Sequence, residues 1–123
     1  MDKQLLLIED FPVIQHLYGT ALKGHYFNVD IASDGAAALE KVAQKEYDFI
    51  ILDLLLPKVN GIEFLEKFQN RPKQTKIVIL SDFKEPKTVD QAYKLHIDGY
   101  FIKAETPPSE LADKLIALSK PNY

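Results

Sequence analysis

The residues able to do chemistry fall in a pattern: paired acids at Glu9 and Asp10, a lone acid at Asp53, a hydroxyl and an acid at Ser81 and Asp82, and an amine at Lys103. Each group directly follows a short apolar run, at residues 5–8, 49–52, 77–80 and 100–102 respectively. Asp53 is the most informative of them. Its surroundings, Phe49-Ile50-Ile51-Leu52 before it and Leu54-Leu55-Leu56-Pro57 after it, predict burial, which penalises a carboxylate unless a cation or hydrogen-bond donors compensate. An isolated Asp after a strand is more often a loop cap, but apolar flanks on both sides reverse that preference. No neighbour in sequence offers a partner, whereas Lys103, arriving from another run, does.

Glu9 and Asp10 also suit the start of a helix, where acids are favoured. Brought near Asp53 they make a cluster of like charges, and at an effective dielectric of about 20 each pair 4 Å apart costs roughly 4 kcal/mol. A cation must relieve that repulsion. With oxygen donors only, no cysteine and no histidine beside these acids, Mg²⁺ (or Mn²⁺) fits better than zinc. Mg²⁺ keeps several waters and accepts phosphate oxygens in its shell, so the combination reads as a phosphoryl site. Asp53 is the expected acceptor, with metal on one side and Lys103 and the Ser81 hydroxyl on the other.

These groups converge only if their runs lie side by side. A further run at residues 29–32 makes five, and between and after them lie five segments of helical period. Pro12 opens the first helix, which repeats Val13, Leu17 and Ala21 on one face and stops at Gly24. Asp34 caps a second bearing Leu39, Val42 and Ala43; Asn60 and Glu63 form a capping box for a third with Ile62, Leu65 and Phe68 inward. Pro86 opens a fourth with Val89 and Ala92, and Thr106-Pro107 precede a fifth bearing Leu111, Leu115 and Leu118. Strands largely without polar alternation suit a parallel sheet covered on both faces. The expectation is an α/β fold, (βα)5, doubly wound, with its site at the carboxyl ends of the strands.

Composition narrows the function. At 123 residues the chain fits one domain spanning 1–123, with 119–123 as a tail or the stump of a linker. The absence of cysteine excludes disulfides, thiol catalysis and iron–sulfur clusters. A net charge of -3 disfavours direct nucleic-acid binding. No stretch is long enough to span a membrane and no cleavage site follows residues 5–8, so a cytoplasmic protein without a membrane role is expected. His16, His25 and His96 share no metal spacing and read as surface or helix-packing residues.

Taken together, the motifs resemble the receiver domain of two-component response regulators, the CheY-like family, over nearly the whole chain. The matches are Glu9-Asp10; Ala32-Ser33-Asp34-Gly35 leading into Ala38-Leu39; Tyr47-Asp48; Asp53 with Leu56-Pro57 and Asn60-Gly61; Ser81; and Tyr100 three residues before Lys103. The resemblance implies a flavodoxin-like sheet of strand order 2-1-3-4-5. It also implies a phosphoacceptor regulator, not an enzyme acting on an external substrate. Asp53 would take a phosphoryl group from a phosphohistidine on a histidine kinase or phosphotransfer protein. Mg²⁺ would be held by Asp10, Asp53 and the Leu55 backbone carbonyl, with Glu9 acting through water. Lys103 would pair with the phosphoryl group or Asp53, Ser81 would move to a phosphoryl oxygen, and Tyr100 would turn inward. The surface of the fourth helix, fifth strand and fifth helix would change for an output partner or an effector domain outside these residues, and the chain would be a monomer or a weak phosphorylation-dependent dimer.

Four positions depart from the pattern or tune it. Ala104 stands where the family usually has proline, often after a cis bond, so a trans and shifted loop is expected. Asp82 replaces the usual small residue, and either crowds or repels a phosphoryl group or lends the metal an oxygen. Leu55 and Phe83 are apolar where the family tunes phosphoryl lifetime, which predicts slow self-hydrolysis. The alternative is a phosphorylation-impaired binding module of receiver shape. Two enzyme readings are weaker: an aspartyl-phosphate phosphatase wants an acid where Leu55 stands, and a flavin site wants a Ser/Thr/Gly-rich loop in place of Glu9-Asp10-Phe11-Pro12.

Overall fold

In the computed structural model, which describes residues 3–119, strands and helices alternate along the chain. The order is β1 (Lys3–Ile8), α1 (Pro12–Gly24), β2 (Phe27–Ala32), α2 (Gly35–Gln44), β3 (Phe49–Leu52), α3 (Gly61–Lys67), β4 (Lys76–Ser81), α4 (Pro86–Lys94), β5 (Gly99–Ile102) and α5 (Pro108–Ser119). A single 3-10 turn, Lys103–Glu105, joins β5 to the last connection. All pairings are parallel and the sheet order is β2-β1-β3-β4-β5, so the expected fold is observed.

Strand side chains alternate between faces, and the core divides accordingly. Leu6, Ile8, Ile50, Leu52, Ile77 and Ile79 pack with Ala38 of α2, Phe64 and Leu65 of α3 and Ala92 of α4. Their neighbours Leu5, Leu7, Phe49, Ile51, Val78 and Leu80 pack with Tyr18 and Leu22 of α1 and Leu111, Ala112 and Leu115 of α5. Burial on both faces explains why these strands read as unbroken apolar runs.

The helix starts follow the sequence signals. Asp34 accepts from the Ala37 amide at 2.7 Å, and Asn60 with Glu63 forms the full capping box. The inward faces are less well anticipated. In α1 the buried residues are Tyr18, Gly19 and Leu22, while Val13 and Leu17 are exposed. The Tyr18 hydroxyl fixes that rotation by donating to the Thr106 carbonyl at 2.7 Å, a long-range bond that helical spacing alone does not reveal. In α3 the fully buried aromatic is Phe64, with Ile62 and Phe68 only half-buried. Ser119, expected to begin a tail, lies in α5, and the rest of that expected tail, 120–123, lies outside the described residues. His16, His25 and His96 are exposed, as expected for surface residues.

Candidate functional site

Continuing each strand's pleat by one residue puts Glu9, Asp53 and Lys103 on the α1/α5 side, in line with Leu7, Ile51 and Phe101. Ser81 and Tyr100 fall on the opposite side, where Tyr100 packs against the α2–α4 core. The amides of Glu9 and Asp53 extend the ladders, donating to Ala32 and Ile8 carbonyls at 3.0 and 3.1 Å. Both carboxylates are thereby fixed at the sheet's carboxyl edge, Glu9 being 2% and Asp53 7% exposed.

Lys103 reaches both of them. Its ammonium donates to Glu9 Oε1 at 2.6 Å and to Asp53 Oδ2 at 2.8 Å. Asp53 Oδ1 accepts from the Ser81 hydroxyl at 2.8 Å and the Leu55 amide at 3.2 Å, and Glu9 Oε2 accepts from the Phe11 amide at 3.3 Å. Burial pushes the Glu9 carboxyl above its ordinary value against the opposing pull of Lys103. Burial by itself would lower the Lys103 pKa, but the hydrogen bonds and charges of Asp53 and Glu9 outweigh it and raise the pKa.

Asp10 is exposed, yet a carboxylate oxygen from each of Glu9, Asp10 and Asp53 lies within 4.8 Å of the others. Three carboxylates against one ammonium leave a formal excess of two negative charges. A hard divalent cation matches this donor set in charge and in oxygen chemistry, so the residues fit Mg²⁺.

Ser81 is the first link of a hydrogen-bonded path. Its hydroxyl donates to Asp53 and accepts from the Phe83 amide at 3.3 Å, and the Phe83 carbonyl in turn accepts from the Tyr100 hydroxyl. Ser81 was expected to move onto a phosphoryl oxygen; here it is already on a carboxylate oxygen, which offers the same kind of acceptor. Burial, and secondarily the Asp53 charge, raises the Tyr100 pKa, keeping that hydroxyl a donor. Leu55 and Phe83 line a cavity of about 530 Å³ beside Asp10.

Asp82, for which both crowding of a phosphoryl group and an extra metal oxygen are open expectations, lies outside the cluster of Glu9, Asp10 and Asp53. Its Oδ1 accepts from the Ala104 amide at 2.8 Å, and no peptide bond among the described residues is cis. Two contributors escaped sequence reasoning. Gln15 ties the Glu9 carbonyl at 2.6 Å to the Ser33 hydroxyl at 3.0 Å, and Tyr18 holds the loop after Lys103. Tyr18 shares a helical face with Ile14 and Leu22, a spacing no better than that of Val13 and Leu17, and Gln15 carries no signal.

The family model of the response regulator receiver domain matches residues 5–116. The chain belongs to this family. Among curated relatives, the Regulator of RpoS of Escherichia coli (strain K12) is 27% identical over 120 residues, covering 98% of this chain and 36% of that protein. Response regulator ArlR of Staphylococcus epidermidis is 36% identical over 101 residues, covering 80% of this chain and 45% of the relative. The receiver chain thus spans between a third and a half of the length of these two relatives. Its fold is shared by a CheY-like receiver domain from Methanospirillum hungatei JF-1, with TM-score 0.89, 21% identity and coverage of 95% and 93% of the two chains. Chemotaxis response regulator CheY4 of Vibrio cholerae aligns with TM-score 0.87 at 24% identity over 96% and 99%.

Proposed function

We propose that this receiver is a phosphorylatable switch in which Asp53 accepts a phosphoryl group from a phosphohistidine of a histidine kinase or phosphotransfer protein. The observation that carries this reading is the Lys103 ammonium shared between Glu9 and Asp53 beside a third carboxylate, Asp10. An Asp53 oxygen attacks phosphorus, a P–O bond forms as the P–N bond breaks, and the imidazole nitrogen keeps the electron pair and is protonated from solvent. Lys103 offsets the charge on the oxygens at the reacting centre.

Asp10, Asp53 and the Leu55 carbonyl would hold Mg²⁺, with Glu9 behind them. When bound, the ion neutralises phosphoryl oxygens and offsets the excess carboxylate charge. Conversion of Asp53 to its acyl phosphate replaces a carboxylate acceptor with phosphoryl oxygens, so the Ser81 hydroxyl is drawn to a new acceptor. Phe83 and Tyr100 follow through their shared hydrogen bonds, changing the α4–β5–α5 surface offered to an output partner or effector domain.

The second reading, a constitutive binding module, is favoured by one observation: the Asp53 carboxylate itself anchors the path through Ser81 and Phe83 to Tyr100. Intact-mass measurement after incubation with Mg²⁺ and a small phosphodonor separates the two. The switch predicts the gain of one phosphoryl group in the parent chain and none in Asp53→Asn. No gain under any donor supports the module.

A further inference from the structure

We infer that Asp82 and Ala104 form a clamp that sets the direction of the Lys103 ammonium, making Asp82 a positioning residue for the phosphoryl site. The inference rests on the reading of Asp53 and Lys103 as that site. The β4–β5 ladder ends at the Ser81↔Ile102 pair, so the next two residues, Asp82 and Lys103, leave the sheet side by side. At this point the Asp82 side chain takes over from the backbone as acceptor, holding the Ala104 amide at 2.8 Å.

That amide belongs to the peptide unit whose carbonyl is that of Lys103, so restraining it restrains the Lys103 backbone and the direction in which its side chain departs. The carbonyl end is held separately. Lys103 O accepts from the Thr106 amide at 3.2 Å, the Thr106 hydroxyl donates to Ile102 O at 2.8 Å, and Tyr18 secures the Thr106 carbonyl. With both ends held, the ammonium stands 2.6 Å from Glu9 Oε1 and 2.8 Å from Asp53 Oδ2.

The two departures from the family pattern are therefore one device. A proline after the lysine would carry no N–H and have no use for an acceptor at position 82. Alanine frees the amide and loses the ring's restraint, and a small residue at 82 would offer that amide no side-chain acceptor. Asp82 supplies both the acceptor and the restraint.

The test uses the parent chain, Asp82→Ala and Asp82→Asn, since Asn keeps the Oδ1 acceptor and removes only the charge. Ala104 amide hydrogen exchange reads the clamp, and the rate of phosphoryl gain with Mg²⁺ and a small phosphodonor reads the aim of Lys103. In Asp82→Ala, loss of Ala104 protection and phosphorylation slowed by about three- to tenfold are expected, on the scale of one hydrogen bond. Asp82→Asn should recover both. The clamp is overturned if Asn behaves as Ala, if either variant reacts faster than the parent, or if Ala104 protection is unchanged in Asp82→Ala. Should the parent chain take up no phosphoryl group, the phosphoacceptor reading fails separately, and Ala104 exchange still decides the clamp.

Discussion

Asp10 contributes a third negative charge to a pocket already holding Glu9 and Asp53, and it does so from an exposed position. In metal-free buffer Asp10→Asn should therefore raise stability by about 1 kcal/mol, the scale of a single exposed charge interaction. Added Mg²⁺ should stabilise the parent and close that gap; thermal melts with and without the ion check it. Lys103 gives a prediction with a defined sign. Its folded pKa lies above the ordinary 10.5, so its ties contribute fully below the unfolded value and are lost as pH rises through the folded one. Lys103→Met should be less stable at neutral pH by about 1–3 kcal/mol, with two buried acids left unpaired, and the difference should shrink in strongly alkaline buffer. Denaturant titrations over that range test it. Leu55 and Phe83 present apolar side chains to the cavity beside Asp10, and an amide at position 55 would add a group able to orient an attacking water. Leu55→Asn should shorten the phosphoryl lifetime, measured by the decay of the mass gain.

Among the elements, the connection that leaves β3 packs closely against the start of α3. A Cβ on Gly61 would lie 2.6 Å from Leu54 Cα and 2.8 Å from the Asp53 carbonyl oxygen, both backbone atoms. Gly61→Ala should cost about 1–3 kcal/mol, as overpacking does, and slow phosphorylation by displacing Asp53. Gly24, with nothing within 4 Å, is the control: Gly24→Ala should be neutral or gain up to about 1 kcal/mol. Chemical denaturation of the two variants compares them. The strand ends were legible because apolar runs stop at Glu9, Asp53, Ser81 and Lys103, and the helix starts because Pro12, Asp34 and Asn60 act locally. The inward face of α1 was not. Val13 and Leu17 share a helical spacing as good as that of Tyr18 and Leu22, and the choice is made by a Tyr18–Thr106 bond spanning 88 positions.

For the molecule as a whole, parallel topology makes the site from residues far apart in sequence, so its parts were legible while its internal wiring was not. The convergence of Glu9, Asp53 and Lys103 follows from the sheet order, since β1 and β4 flank β3 and β5 brings in the lysine. The Asp82 partner is different: Ala104 lies 22 residues away, and a carboxylate at a loop offers no sequence sign of which amide it takes. The Ser81–Phe83–Tyr100 path likewise depends on how the β4–α4 connection folds back over β5. A switch at this site requires a transferred phosphoryl group to reside on Asp53 and a divalent cation to put it there. Peptide mass spectrometry after reductive trapping, on chain treated with a small phosphodonor with and without Mg²⁺, measures both at once. Modification confined to Asp53 and dependent on the ion is the predicted result; modification elsewhere, or equally without the ion, would contradict it.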